Sequence, residues 1–406
     1  MREWAARLTL ALLAAAAALN AQQPTFRSNV NLLAVDAVVV DAMGQPILGL
    51  TPADFVVKIN NQVRKIVSAD LVHYTTAETP ATSTGVANAR APIRTPGRVL
   101  DNTRTFIIAI DEPSFLSNQI KPAARAVQAF VRKLDPTDMV GVYVYPFAKP
   151  MLELTHDHDA VIDKLDTVIG RRDLQPGMHN LTATEIIDIT AHDAEAWQQA
   201  ALRECPLDIF FPMCKEQVRG DAIQLGAMYE MEGARRVVSI SGLIYSLGAL
   251  PGHKTLVVVS AGLISATRVG GSPDFRSYMV RLGEQAARAN VQPYFVHMDN
   301  SFEELFSAAK RGSPRPDLTF RSELSDAGAW ANGLERMAGE SGGVYLPWKN
   351  GTGELVFNRL LRETSAYYLL GVEPTAKDWD GRTLLVSVKT SVKGASVRAL
   401  KQVIAR

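Results

Sequence analysis

The sequence contains very little cysteine and has no excess of charge of either sign. Two of its 406 residues are cysteines, and 43 Lys and Arg residues stand against 42 Asp and Glu residues, for a formal net charge of +1. Two cysteines cannot staple a small disulfide scaffold, and a near-neutral chain lacks the basic stripe of a nucleic-acid-binding domain. We therefore expect a globular protein with no nucleic-acid partner.

The sequence also lacks the short motifs of common enzyme sites. It has no His-Glu-x-x-His helix, no phosphate loop ending in Gly-Lys-Ser/Thr and no Gly-x-Gly-x-x-Gly fingerprint. These spacings place metal ligands or phosphate-binding amides where the chemistry needs them. Their absence disfavours an enzyme, although a triad assembled from distant residues stays open as an alternative.

Long apolar runs are absent except near the N-terminus. Residues 1–7 form a short basic region, residues 8–19 are apolar, and small residues at Ala18 and Ala21 suit signal peptidase. We expect residues 1–21 to be a signal peptide and the protein to be exported, either periplasmic or extracellular; a buried N-terminal helix is the alternative. No later run is long and apolar enough to cross a bilayer, so no transmembrane segment is expected in the mature chain.

Export bears on the cysteine pair. Cys205 and Cys214 lie close together in a proline-containing segment, and in an oxidising compartment such a pair favours a disulfide over two inert thiols. The small loop that it closes contributes on the order of 2–3 kcal/mol. A zinc site is disfavoured, since no histidine lies at ligand spacing.

A buried strand is predicted over residues 104–111. The apolar run Phe-Ile-Ile-Ala-Ile ends in Asp111 and is followed by a loop and a helical pattern, which is typical of a parallel strand covered on both faces. Asp111 then lies at the carboxyl end of the strand. Ligands of open parallel sheets bind in the crevice outside these ends.

The chain around this strand changes its periodicity twice. Strand patterns fill residues 22–74, a Thr-, Ala- and Pro-rich linker covers 75–103, strands alternate with helices over 104–364, and strands return over 365–406. The alternation pauses over 171–231, which indicates an insertion. We expect an α/β fold with a doubly wound, mainly parallel sheet, and a β-sandwich-like module in which the N- and C-terminal strands pack together.

Five stretches together resemble a known family. They are residues 41–55, the strand ending at Asp111, 134–142, 250–263 and 365–371, and they are similar to the von Willebrand factor A-related proteins of acidobacteria and their relatives. The resemblance implies a secreted, Rossmann-like A domain that mediates adhesion or protein–protein contact through a metal-ion-dependent site.

The resemblance also implies where that site lies. The family's first loop is Asp-x-Ser-x-Ser; Asp111 matches the acid, but Pro113 and Phe115 replace the serines, with Ser114 and Ser117 out of phase. Thr182 or Thr184 matches the threonine of the second loop. In the third loop, 260–262, Ala261 replaces the family's acid.

Two interpretations of these departures stay open. In the first, Asp111, Glu112, Ser114 and Thr182 bind Mg²⁺, which prefers hard oxygen ligands. In the second, the metal site is degenerate and Asp111 caps backbone amides of its own loop.

We expect an extracytoplasmic protein that binds an unidentified protein partner. The expected binding face comprises Asp111, Ser114, Ser117, Ser260 and Gly262, together with the insertion. The alternatives are a hydrolase-like enzyme without a recognisable motif and a structural component of the cell envelope.

Overall fold

The computed structural model describes most of the chain. The described residues are 32–74, 103–117, 119–146, 149–172, 177–300, 320–349, 351, 353–379 and 381–404. The predicted signal peptide and residues 75–102 of the predicted linker lie outside these ranges. The described residues from Leu33 onward belong to one compact unit.

Strands open and close the described chain, and strands alternate with helices between them. The first strands are β1 (Leu33–Val40), β2 (Phe55–Ile59), β3 (Gln62–Arg64) and β4 (Ile66–His73). The alternating part comprises β5 (Thr105–Asp111), α1 (Ile120–Val131), β6 (Met139–Tyr145), β7 (Lys149–Thr155), α2 (His158–Asp166), α3 (Ala183–Thr190), α4 (Ala194–Glu204), α5 (Phe211–Leu247), β8 (Lys254–Ser260), α6 (Arg276–Ala289), β9 (Val291–Asp299), α7 (Phe320–Ser341), β10 (Val344–Lys349) and α8 (Glu354–Glu363). The last strands are β11 (Ala366–Val372), β12 (Thr383–Thr390), β13 (Ser396–Ala399) and β14 (Gln402–Ile404).

The central sheet has six strands in the order β10-β9-β8-β5-β6-β7. All neighbours are parallel except β7, which runs antiparallel to β6 at one edge. β6 lies on one side of β5 and β8 on the other, so the direction of winding reverses at β5. The crevice between the ends of β5 and β8 is therefore a topological switch point, where α/β proteins bind ligands.

Helices cover both faces of this sheet. Phe106, Ile108 and Ile110 of β5 pack against α1, α2 and α8, whereas Ile107 and Ala109 pack against α5, α6 and α7. Successive side chains of a strand point to opposite faces, so an unbroken apolar run is what a strand buried on both sides requires. The predicted doubly wound sheet is confirmed.

The strands from the two ends of the chain form a β-sandwich. One sheet has the order β13-β1-β11-β4 and the other β14-β12-β2-β3, so each combines N- and C-terminal strands. Val35, Phe55, Tyr368 and Leu370 lie in the shared core. The predicted module of N- and C-terminal strands is confirmed.

Helix α5 is longer than the sequence indicates. The pattern predicts a helix over 234–250, but α5 extends over 37 residues from Phe211. Gly233 lies inside this helix, at a point where the helix packs closely against Phe275. A Cβ added to Gly233 would lie 2.4 Å from the Phe275 ring, so only glycine fits there. None of the described helices is long and apolar enough to cross a membrane.

Candidate functional site

The candidate site lies at the carboxyl ends of β5 and β8. Asp111 ends β5 and is aligned with Tyr145 of β6, while Ser260 ends β8 and is aligned with His297 of β9. The alternation along each strand turns Asp111 toward the face that α5 covers, because Ile107 and Ala109 of the same strand pack there. This carboxylate is 1% exposed.

Asp111 receives a hydrogen bond from the neighbouring strand. The Ser260 hydroxyl donates to Asp111 Oδ2 over 2.7 Å, and the buried Tyr145 hydroxyl interacts with both residues. Oδ1 has no hydrogen-bond partner of normal geometry among the described residues. Burial raises the pKa of the Asp111 carboxyl, and the charge of Arg236 opposes this rise.

The guanidinium of Arg236 lies among the oxygens of both loops. Its Nη1 is 3.6 Å from Asp111 Oδ2 and donates to the Gly262 carbonyl over 3.3 Å. Its Nη2 donates to the Pro113 carbonyl over 3.4 Å and lies 3.8 Å from a carboxylate oxygen of Glu232. Helix α5 thus supplies a buried cation at the switch point of the sheet.

The two loops are also tied to each other by Ser114. Its hydroxyl donates to the Asp111 carbonyl over 2.7 Å and accepts from the Ala261 amide over 2.8 Å. Gly262 has φ +130, and an added Cβ would lie 3.1 Å from Trp330. Its amide donates to the Ser260 hydroxyl over 3.1 Å, so both serines are used within the protein.

The other predicted residues of this face lie further along the first loop. Glu112 is buried and its carboxylate lies 3.1 Å from the guanidinium of Arg171, whose side chain is exposed. Burial raises the pKa of Glu112, and Arg171 opposes the rise. Ser117 is exposed and donates to the Gly170 carbonyl over 3.4 Å.

Thr182 begins helix α3 and serves as its cap. Its hydroxyl accepts from the Glu185 amide, and the Glu185 carboxylate accepts from the Thr182 amide. The Thr184 amide donates to Asp326 of α7 over 2.9 Å, and burial raises the pKa of that acid. Within the described part of the chain, no hydrogen bond joins Thr182 to Asp111, and the structure does not bring them together as a ligand pair.

These contacts do not fit a hard divalent cation. Mg²⁺ needs several free oxygen ligands in octahedral geometry, but the hydroxyls of Ser114 and Ser260 are hydrogen-bonded within the loops and that of Thr182 caps a helix. A guanidinium already lies against Asp111 and the loop carbonyls. The alternative role of Asp111 as a cap is also not seen, since the short helix that follows has no side-chain cap.

The insertion forms a helical layer with its own small core. The predicted bond between Cys205 and Cys214 is confirmed, and Cys205 packs with Ile189, Val218 and Ala222. A ring nitrogen of His179 lies within 4.8 Å of both sulfur atoms. Because the two sulfurs are bonded to each other, they do not serve as metal ligands.

The disulfide closes a loop that presents apolar side chains to solvent. Asp208 stabilises the turn by accepting from the Phe210 amide over 2.8 Å, and helix α5 starts inside the loop. The exposed fractions are 76% for Leu207, 87% for Ile209, 58% for Phe210 and 58% for Met213. Clustered exposed apolar side chains of this kind mark interaction surfaces.

Sequence reasoning missed Arg236, the residue that decides the chemistry of the site. Arg235 and Arg236 are adjacent, and a helical pattern alone does not show that one is exposed and the other buried. The signal that points to Arg236 is its position on the face of α5 that holds Val237 and Ile240, both of which are buried.

The chain has similarity to solved structures but not to known families. No protein-family model matches the chain, and no curated protein matches it. Among solved structures, the chain is similar to the VWA domain of SpRpn10, with 11% sequence identity, a TM-score of 0.27, and coverage of 63% of this chain and 93% of that chain. The fold class rests on the strand order and helix layers described above.

Proposed function

We propose that this is an exported protein-binding module of the von Willebrand A type, related to the acidobacterial group, that engages a protein partner without a divalent cation. The observation that carries the proposal is the disulfide-closed loop 205–214 with its four exposed apolar side chains. Burying one such side chain against a partner stabilises a complex by about 1.5–3 kcal/mol. Exposed apolar side chains do not stabilise an isolated soluble protein, so a cluster of them indicates an interaction surface.

Charge supports a protein partner over a lipid surface. The loop holds Asp208, and the residues beside the disulfide include Glu204, Lys215 and Glu216. Membrane-inserting loops usually join apolar side chains to an excess of Lys and Arg that attracts anionic headgroups. No such excess is present, and an apolar pocket on a protein is the better match.

Arg236 supports independence from metal. In a metal-dependent site the cation neutralises a buried carboxylate and leaves one position for the partner. Here the guanidinium already lies beside Asp111 and contacts both loops, so the loops keep their arrangement through a covalently attached charge.

The test is crosslinking followed by affinity measurement. A photo-crosslinking residue replaces Ile209 in the full chain, the captured protein is purified, and its affinity for wild type is measured with and without EDTA. We expect Ile209→Ser to weaken binding about tenfold, which corresponds to about 1.4 kcal/mol. EDTA should have no effect.

The matched control is Leu355→Ser, since Leu355 is 78% exposed but lies on α8, on the other face of the sheet. Equal weakening by both changes, or loss of binding in EDTA, would contradict the proposal. Flotation of wild type, but not Ile209→Ser, with liposomes would instead indicate a lipid-binding loop.

A further inference from the structure

A second candidate site lies at the opposite end of the central sheet. A cleft of about 420 Å³ separates the β-sandwich from the starts of β5 and β8. Small-molecule sites usually range from about 300 to 1,000 Å³ and favour interfaces between structural units. The residues that line it are Asp36, Tyr74, Thr103, Thr105, Met139, Leu154, Leu250, Pro251, Gly252, His253, Asn290, Tyr367 and Leu369.

An aspartate and a histidine 217 residues apart meet in this cleft. His253 Nδ1 lies 3.1 Å from Asp36 Oδ2, and the imidazole stacks on Tyr367 with the ring centres 5.2 Å apart. A carboxylate at Nδ1 holds the proton on that nitrogen and leaves the Nε2 lone pair as an acceptor. No described residue pairs with Nε2.

Two buried donors line a water-sized extension of the cleft. Arg104 uses Nε and Nη2 on Asp138, which leaves Nη1 buried without a partner among the described residues. The Tyr294 hydroxyl is likewise buried and unpartnered, and Tyr294 is 1% exposed. The extension shares Tyr74, Thr105, His253 and Tyr367 with the larger cleft. Unsatisfied buried donors are costly, so they point to a group that fills this end.

The hydrogen-bonding groups of the cleft disfavour an ionic ligand. A carboxylate would offer acceptors to Arg104 but no donor to His253 Nε2, whereas an ammonium would offer donors but no acceptor to Arg104. The remaining needs are an acceptor for Arg104 or Tyr294 and a donor for His253 Nε2. A hydroxyl group supplies both, and Met139, Leu154 and Leu369 offer an apolar wall for a ring.

We propose that the cleft binds a small neutral aromatic alcohol, with its hydroxyl between His253 and the buried donors and its ring against the apolar wall. The site is one of binding, at the end of the domain opposite Asp111.

The probe is 2-naphthol, titrated into the full chain by fluorescence and calorimetry. 2-Methoxynaphthalene has the same ring and an ether oxygen that can accept a hydrogen bond, but it has no hydroxyl hydrogen to donate to His253 Nε2. We expect it to bind at least tenfold more weakly than 2-naphthol. His253→Phe keeps an aromatic ring on Tyr367 but removes Nε2, and should weaken 2-naphthol to the same level. Leu369→Trp should block both probes by filling the cleft.

His156→Phe is the matched control, because His156 is exposed on a turn after β7. Thermal unfolding of each variant checks that the fold is retained. The proposal is overturned if 2-naphthol does not bind at millimolar concentration, if both probes bind equally, or if folded Leu369→Trp binds as wild type does.

Discussion

Arg236 Nη1 lies 3.6 Å from Asp111 Oδ2, and both side chains are buried at the switch point of the central sheet. One comes from helix α5 and the other from strand β5, so the pair joins the helical layer to the sheet. The guanidinium also contacts the carbonyls of Pro113 and Gly262. A charge built into the chain thereby holds together loops that a bound ion would otherwise organise.

The Arg236→Ala change should destabilise the protein by about 3–5 kcal/mol, because it leaves the buried carboxylate of Asp111 without its counter-charge. Urea unfolding measures the effect. Arg235→Ala is the control, since Arg235 is exposed on the same helix and its loss should cost less than about 0.5 kcal/mol. A loss below about 1 kcal/mol for Arg236→Ala would show that the pair contributes little.

The pH dependence of stability should reveal the buried acid. Because burial raises the pKa of Asp111, the folded protein binds more protons than the unfolded chain, so ionisation above about pH 4 favours unfolding. Wild type should therefore lose stability relative to Asp111→Asn as the pH rises from about 4 toward neutrality. Urea unfolding of both proteins across this range tests the sign. If the difference in unfolding free energy between wild type and Asp111→Asn stays constant with pH, or changes in favour of wild type, the pKa of Asp111 is not raised.

Gly262→Ala should also destabilise the site. The backbone at φ +130 disfavours any residue with a side chain, and the new methyl group would press on Trp330. We expect a loss of about 1–3 kcal/mol. Gly252→Ala is the milder control, because its φ of +78 is closer to the left-handed region and the space around it is open, so it should cost less. Equal losses would mean that neither the wider φ at Gly262 nor the contact with Trp330 adds to the cost.

Removing the disulfide with Cys205→Ser and Cys214→Ser should cost about 2–3 kcal/mol by freeing the unfolded chain. Hydrogen exchange should accelerate around residues 205–214 and leave β5 and β8 protected, because the insertion has its own core. Faster exchange in β5 would show that the disulfide supports the whole domain.

Much of the fold could be predicted from periodicity. The unbroken apolar run that ends at Asp111 identifies a central parallel strand, and alternation near both termini identifies the β-sandwich. Strand β7 was missed because Pro150 lies within it; an edge strand tolerates a proline, but the pattern then looks like a loop. The sequence pattern predicts only the part of α5 after residue 233, because Gly233 resembles a helix end. In the structure Gly233 lies within the helix and allows it to pack closely against the ring of Phe275.

The site was less accessible from sequence. Asp111, Ser114, Ser260 and Gly262 do lie together, as expected from the convergence of loops at strand ends. Thr182 is drawn instead to its own helix and to Asp326. Local patterns cannot show that Arg236, 125 residues after Asp111, is its neighbour, or that Asp36 meets His253, since both pairs exist only once the sheet is wound.

Calorimetric titration of Mg²⁺ tests metal independence most directly. Wild type should give no saturable binding at millimolar Mg²⁺, because the guanidinium already fills the position beside Asp111. The Arg236→Ala variant should bind Mg²⁺. Removal of the guanidinium frees the Asp111 carboxylate and the carbonyl oxygens of Pro113 and Gly262, which are hard ligands. Saturable binding to wild type that disappears in Asp111→Ala would contradict the account.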